Sequence, residues 1–369
     1  MVVKLGVGVI GVGFGEHIHI PGFQEHPRTH VVAVAAAHQE RAEEAAEAHE
    51  IPFATGDYHA LLARPDVDLV SIASPPHLHR EMALAAIEAG KPVLIEKPLA
   101  HSLQAAEALC TRAAERRIAG VVDFEFRFVP AFRLMKRLIA SGFLGRPRFV
   151  SVSWLVDILA DPEGRRFGWA SEREAGGGVL GAFGSHVFDY LEWFFGEITQ
   201  ATGFLATGVP RRALPQSRRK AEVTADDTFG AHVRFSSQLV ATIEVCAVGW
   251  HRAGHRILAY GDDGTLELRQ ESHSDTIHGA VLRGARAGEP TLEEMAIPED
   301  LALDREYPDG RLAPFIQVID ALLRAVDGRP EPDDPGLECG LRAQAVMEAV
   351  ARAHAAGDWM PAAPALRPG

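Results

Sequence analysis

The sequence predicts two domains: a doubly wound α/β parallel sheet over residues 1–124, then an α+β domain with an open, mainly antiparallel sheet over residues 125–369. Three observations carry this. Short apolar runs alternate with helix-like stretches as far as Phe124, and the first run feeds directly into closely spaced glycines. Past Phe124 the rhythm changes to strand-like runs separated by hairpin-type breaks. A chain of 369 residues also exceeds the usual span of a single core.

In the first domain, the Val- and Ile-rich run before Gly11 reads as a buried strand, and His17 to Phe23 as the opening of a helix. Between them lie Gly11, Gly13 and Gly15, whose lack of side chains lets backbone approach a pyrophosphate at a helix N-terminus. The spacing is irregular: Glu16 stands where a third glycine belongs, with Gly15 one place early. His30 to Ala35 is the second strand, Gln39 to Glu50 a helix, and Ile51 to Ala54 a short third strand. Asp57 caps a helix over Tyr58 to Ala63. Strands follow at Asp68 to Ser74, Pro92 to Ile95 and Gly120 to Phe124, with helices at His79 to Ala89 and Ser102 to Ile118 between them. Six strands in this rhythm are the Rossmann arrangement, in which ligands sit beyond the carboxyl ends of the strands.

Composition narrows the partners. A hydrophobic share of 47% with 24% charged residues argues for a folded globular chain. The net charge of −13 repels a phosphate polymer, which excludes nucleic acid, while backbone dipoles still allow a dinucleotide. Cys110, Cys246 and Cys339 show no paired spacing, as expected of thiols in a reducing compartment. No secretory leader and no run of about 18 apolar residues is evident, so the expected location is the cytoplasm, away from membranes.

Three strand ends should open on one crevice: Gly11 to Gly15, Ser74-Pro75-Pro76 with His79, and Glu96-Lys97-Pro98. A lysine at the end of a buried strand is rarely there for solubility. His17/His19 and His77/His79 are two apart on helices and diverge, so no metal site is expected; His19 and His79 instead line the cofactor crevice. After the second strand, Ala36 and His38 occupy the place that usually discriminates the ribose 2′-position, so NAD and NADP both remain open.

The second domain should hold a helix over Ala131 to Ala140 and strands near Pro147–Val156, Thr199–Leu205, Thr228–Phe235, Leu239–Val248, Arg256–Tyr260 and Thr265–Arg269. Helices return over Ala313 to Ala356, and these C-terminal helices can pack back on the first domain. The basic cluster Arg211, Arg212, Arg218, Arg219 and Lys220 reads as a solvated loop. Gly176 to Gly178 precede a helix over Ser185 to Phe195, which places His186 and Asp189 on one side. Histidine suits proton transfer near neutral pH, and Asp189 could orient its ring.

The glycine turn, Ser74-Pro75-Pro76 with His79 and Glu81, and above all Glu96-Lys97-Pro98 resemble the glucose–fructose oxidoreductase and inositol dehydrogenase (Gfo/Idh/MocA) family over nearly the whole chain. The resemblance implies a dehydrogenase that uses NAD or NADP on a secondary hydroxyl of a sugar, cyclitol or related polyol. It gives Lys97 contact with both the nicotinamide ribose and the reacting hydroxyl, and makes His186 the proton acceptor. Gly11, Gly13, Phe14, Gly15, His19, Ala36 and His38 would bind cofactor, as would Ser74, Pro75, His79, Glu96 and Lys97. Arg127, Arg166 and Trp169 fall near the substrate. Ala182 departs from the family pattern, which has aspartate four residues before the histidine. Some relatives are NAD-dependent glycosidases and others non-catalytic, NADP-binding sugar-responsive regulators, and both remain alternatives. The resemblance also implies a homo-oligomer formed through the second domain's sheet.

Overall fold

The computed structural model describes residues 4–251, 253–271 and 279–363. These cluster into two units: Met1–Glu125 with Arg311–Leu341, and Phe126–Gly310 with Arg342–Gly369. The segment Arg311–Leu341, which a boundary at residue 124 assigns to the second domain, clusters with the first.

The first unit runs β1 (Leu5–Ile10), α1 (Ile20–Glu25), β2 (Thr29–Ala35), α2 (Gln39–Ala48), β3 (Ala54–Thr55), α3 (Tyr58–Leu62), β4 (Leu69–Ile72), α4 (Pro76–Glu88), β5 (Val93–Ile95), α5 (Leu103–Arg116) and β6 (Gly120–Val122). Its sheet has the order β3-β2-β1-β4-β5-β6, with every pair parallel. Such a sheet is buried on both faces, which is why its strands read as continuous Val, Ile and Leu. Caps follow from sequence: Asp57 accepts the His59 N–H and Ser102 the Ala105 N–H. Two element starts lie three residues from expectation. Pro52 cannot donate to a ladder, and β3 pairs at Ala54 and Thr55 rather than at Ile51. Helix α4 starts at Pro76 instead of His79, since proline suits a first helical position.

In the second unit, α6 (Pro130–Ala140), β7 (Pro147–Leu155), α7 (Ser185–Phe195) and β8 (Ile198–Ala206) lead to a ribbon of β9 (Arg211–Ala213) and β10 (Lys220–Glu222). The strands β11 (Thr228–Phe235), β12 (Val240–Cys246), β13 (Gly254–Gly261), β14 (Gly264–Gln270), β15 (Val281–Arg286) and β16 (Glu293–Glu294) follow. Later come α8 (Leu312–Val326), which belongs to the first unit, α9 (Leu337–Ala356) and β17 (Met360–Pro361). The order is β16-β15-β14-β13-β7-β12-β11-β8-β17. The sheet is mixed: β7 and β12 pair in parallel, the other neighbours antiparallel. Among the described residues, no helix is long and apolar enough to cross a membrane.

The basic stretch is not wholly a solvated loop. Arg211 to Lys220 includes the β9–β10 ribbon, and Arg212 is buried, donating to the carbonyls of Leu159 (2.6 Å), Asp161 (3.2 Å) and Arg165 (3.4 Å). A guanidinium with five fixed donors can gather several carbonyls at once.

The core of the second unit centres on His255, whose ring stacks on Trp154 with centroids 4.3 Å apart. Its Nδ1 pairs with Gln270 Oε1 at 2.8 Å and its Nε2 with the Tyr190 hydroxyl at 3.0 Å. A neutral ring satisfies both, donating to the amide oxygen and accepting from the phenol. Burial lowers its pKa from 6.5 to about 4, with the Gln270 hydrogen bond opposing. Since the folded value is depressed, the contribution is complete above pH 6.5 and is lost as pH falls toward 4. Stability should fall by up to about 3 kcal/mol across that window. Denaturant unfolding at pH 7, 5 and 4 should show this loss in the parent and a flatter profile in His255→Gln.

Candidate functional site

In the first unit the site starts at the glycine turn. Gly11 has φ +105°, donates its N–H to Ala35 O at 2.8 Å, and would place a Cβ 2.6 Å from Ala73 O. Only glycine fits there. At Gly13 the space for a Cβ is open, as close approach by a bound pyrophosphate requires. A Cβ on Gly15 would lie 3.1 Å from Ala73 Cβ, so Gly15 performs the helix-to-strand packing usually given to the third glycine. The helix opens with a wide π turn over Gly15–His19 before α1. Phe14 lies under the Arg311 guanidinium, 5.1 Å from ring centroid to Cζ. These residues fit a dinucleotide.

After β2, Ala36 donates to Thr55 O at 3.1 Å, and His38 is exposed and precedes α2 without a side-chain cap. Sequence reasoning passed over Arg41, in the first turn of α2. It pairs with Glu44 at 2.6 Å and reaches Glu16, beyond the glycine turn, at 3.7 Å.

The histidines take a different place from the one expected. His79 has no exposed surface; its Nε2 faces Ser74 O at 2.7 Å and its Nδ1 faces Pro98 O at 3.0 Å. It therefore ties the loops after β4 and β5 together instead of lining a cofactor surface, and burial lowers its pKa. His19 is equally buried, with Nδ1 2.6 Å from Ser71 Oγ and Nε2 2.9 Å from Glu96 Oε1. Both its nitrogens are engaged inside the protein, which again corrects its expected place in the crevice.

Glu96 is the hub of this cluster. Its Oε2 accepts the Lys97 N–H at 3.1 Å, and Asp123 Oδ2 lies 3.8 Å from His19 Nε2. Burial would raise the Glu96 carboxyl, but the hydrogen bond and charge of His19, followed by Lys97 and Asp123, bring it down to about 2. Asp123 goes the other way, pushed well above the carboxylate range by burial and then by the charges of Glu96 and Glu125. Glu125 rises to about 7, chiefly through burial and against the pull of Lys97. His19, Glu96 and Asp123 also have donor atoms within 4.8 Å of one another, the spacing of a metal cluster, although His17 takes no part. Lys97 is half-buried at the edge of this cluster, and its bond to Pro98 is cis.

In the second unit, α7 presents His186 after a second wide turn over Leu180–Gly184. Gly178 has φ +109°, and a Cβ there would overlap Asp226 Oδ1. The other oxygen of Asp226 accepts the Leu180 N–H at 2.8 Å, and its carbonyl accepts Val179 N–H at 3.1 Å. Asp226 thus anchors the start of the His186 segment, and burial raises it to about 6. Being 46 residues from Leu180, it gave no local signal in the sequence.

His186 is buried and meets Phe126 edge-on, with centroids 4.8 Å apart. Asp189 does not orient its ring as expected. Both oxygens of Asp189 accept from the Arg127 fork, at 2.7 and 2.9 Å, and both residues are buried. The same pairing directs Arg127 inward, so it is a structural ion pair and not a substrate contact. Burial raises Asp189, with Arg127 pulling it back. Arg166 is exposed and donates to Ser217 O at 3.3 Å, and Trp169 is 44% exposed. Ala182, in the second wide turn, donates its N–H to Gly178 O at 3.0 Å.

A glycine-turn Rossmann unit followed by a mixed-sheet unit of this topology suits a nicotinamide-dependent oxidoreductase, and comparison with known proteins shows that class. Residues 5–124 match the model of the oxidoreductase family with an NAD-binding Rossmann fold, and residues 132–267 match the GFO/IDH/MocA C-terminal domain. An uncharacterized oxidoreductase of Synechocystis is 36% identical over 97% of this chain and 96% of its own. Levoglucosan dehydrogenase of Pseudarthrobacter phenanthrenivorans is 32% identical over 74% of this chain and 75% of its own. A solved levoglucosan dehydrogenase in complex with NADH and L-sorbose superposes with TM-score 0.85 at 26% identity, covering 98% of this chain and 99% of that one. The chain belongs to the Gfo/Idh/MocA oxidoreductase family, and its cofactor is NAD(P).

The glycine run before α7 can be tested directly. Gly178→Ala should cost about 1–3 kcal/mol, from the left-handed backbone and the overlap with Asp226. Gly168→Ala, with open space around its Cβ position, should leave the thermal midpoint nearly unchanged. Differential scanning calorimetry of the two variants separates them.

Proposed function

We propose that this protein oxidises a secondary hydroxyl of a sugar, cyclitol or related polyol, and reduces the ketone in the reverse sense. The observation that carries this is the placement of Lys97. It stands at the end of β5, half-buried, with its backbone N–H held by Glu96 in a dry carboxyl cluster. Similarity to levoglucosan dehydrogenase supports a carbohydrate as the substrate class.

When bound, the nicotinamide supplies or accepts the hydride. Lys97 donates a hydrogen bond to the substrate oxygen and stabilises the negative charge that develops on it; in a site shielded from water this electrostatic effect is large. His186 takes the hydroxyl proton during oxidation and returns it during reduction. Its burial against Phe126 limits ring motion, so the imidazole is held ready instead of being recruited. Asp226 acts further back, fixing the turn from which α7 begins.

The open face of the second unit's sheet carries Phe149 and Tyr260, stacked with centroids 6.5 Å apart, and Phe204, 54% exposed. A second copy of the chain is the partner that such a face in this family implies, and a homo-oligomer is part of this reading. Light scattering coupled to size exclusion should give a mass above that of one 39.9 kDa chain, and Phe204→Glu should lower it.

The reaction is tested by nicotinamide absorbance with levoglucosan, L-sorbose and a panel of inositols. Lys97→Ala should cut kcat by about 10²–10³-fold while changing cofactor affinity far less. Unchanged turnover in that variant would remove the basis of the assignment.

A further inference from the structure

His19 is a buried polar ring that the proposed chemistry does not use. Packing alone would be served better by an apolar side chain, because an imidazole gives up hydration on burial. Its surroundings show what it holds. A carboxylate only accepts, so Nε2 donates to Glu96 Oε1, while Nδ1 pairs with the Ser71 hydroxyl, which can donate or accept. The ring plane is fixed from two further directions, by Phe315 of α8 at 4.4 Å and the edge of Phe14 at 5.7 Å. With Oε1 of Glu96 occupied in this way, Oε2 meets the backbone N–H of Lys97. Asp123, just beyond β6, joins the same cluster, with its Oδ2 3.8 Å from His19 Nε2.

We propose that His19 is a positioning residue for Lys97: it holds one oxygen of Glu96 so that the other fixes the lysine's backbone, and thereby the aim of its ammonium group. The proposal rests on the reading that Lys97 works at the reacting carbon. His19 also ends the turn that follows the phosphate-binding glycines, so the lysine is placed by reference to the cofactor's own binding element. The route is short, made of side chains on the first wide turn, β4 and the ends of β5 and β6, all within the first unit.

The test is the rate at which trinitrobenzenesulfonate modifies Lys97 in the full-length, cofactor-free protein, read by peptide mass spectrometry against exposed Lys4 in the same sample. In His19→Leu, and in the milder Ser71→Ala, the Lys97 to Lys4 ratio should change by about threefold or more. His19→Gln keeps an N–H donor toward Glu96 and should bring the ratio back. Lys91, which donates to Val67 O elsewhere in the unit, should keep its parent ratio throughout. In the sugar assay, kcat should fall by about tenfold or more in His19→Leu, with KM little changed. An unchanged Lys97 ratio in His19→Leu, or in Ser71→Ala where His19→Leu does not fold, overturns the proposal. An equal change at Lys91 overturns it as well, since that reports general loosening. A changed Lys97 ratio with unchanged kcat supports the positioning and instead overturns the catalytic reading of Lys97.

Discussion

A carboxylate stays ionised in a dry interior only when donors surround it, and that constraint shapes the first unit around Glu96. The residue is 8% exposed, yet two donors reach it, one from the turn after β1 and one from the next residue in the chain. Meeting its needs brings together β4, the carboxyl ends of β5 and β6, and the turn after β1. The neighbouring carboxyls adjust to it: Asp123 and Glu125 are driven toward their neutral forms while Glu96 keeps its charge. Two buried histidines, His19 and His79, then serve as ties between loops. The lysine that follows has its backbone N–H held by this carboxylate.

The second unit solves a similar problem with other groups. Asp189 and Arg127 neutralise one another inside the core, and losing either would strand a charge. Asp226 anchors the beginning of the His186 segment and forbids a side chain at Gly178. In the second unit the helix that carries His186 has its start pinned by an acid 46 residues away, whereas in the first the acid is the lysine's own neighbour, held in turn by a histidine 77 residues away.

This explains which features were legible. Parallel strands read plainly as apolar runs, and caps such as Asp57 and Ser102 act over two or three residues, within reach of a local reading. The glycine turn and the Glu96-Lys97-Pro98 element were visible as contiguous motifs. Partners chosen by the fold were not. Asp189 lies three residues from His186 and invited a pairing, but a guanidinium 62 residues away outcompetes an imidazole through its bidentate geometry. His19 meets a carboxylate 77 residues further on, so the sequence showed a polar ring near a ligand site without showing that it faces inward. The parallel pairing of β7 and β12 was hidden because register between distant strands leaves no mark in local alternation.

The two wide turns, Gly15–His19 and Leu180–Gly184, have a consequence for how chain length and geometry relate. A π turn holds an additional residue compared with an α turn, so one residue can be lost or gained there while the helix behind it continues. Such a change rotates the segment before the turn by about 100° relative to the helix after it. At these two places the chain can re-aim a glycine or a histidine by length alone, without altering the strand or the helix on either side. At the first of these turns the opening residue, Gly15, is the one that packs against the sheet.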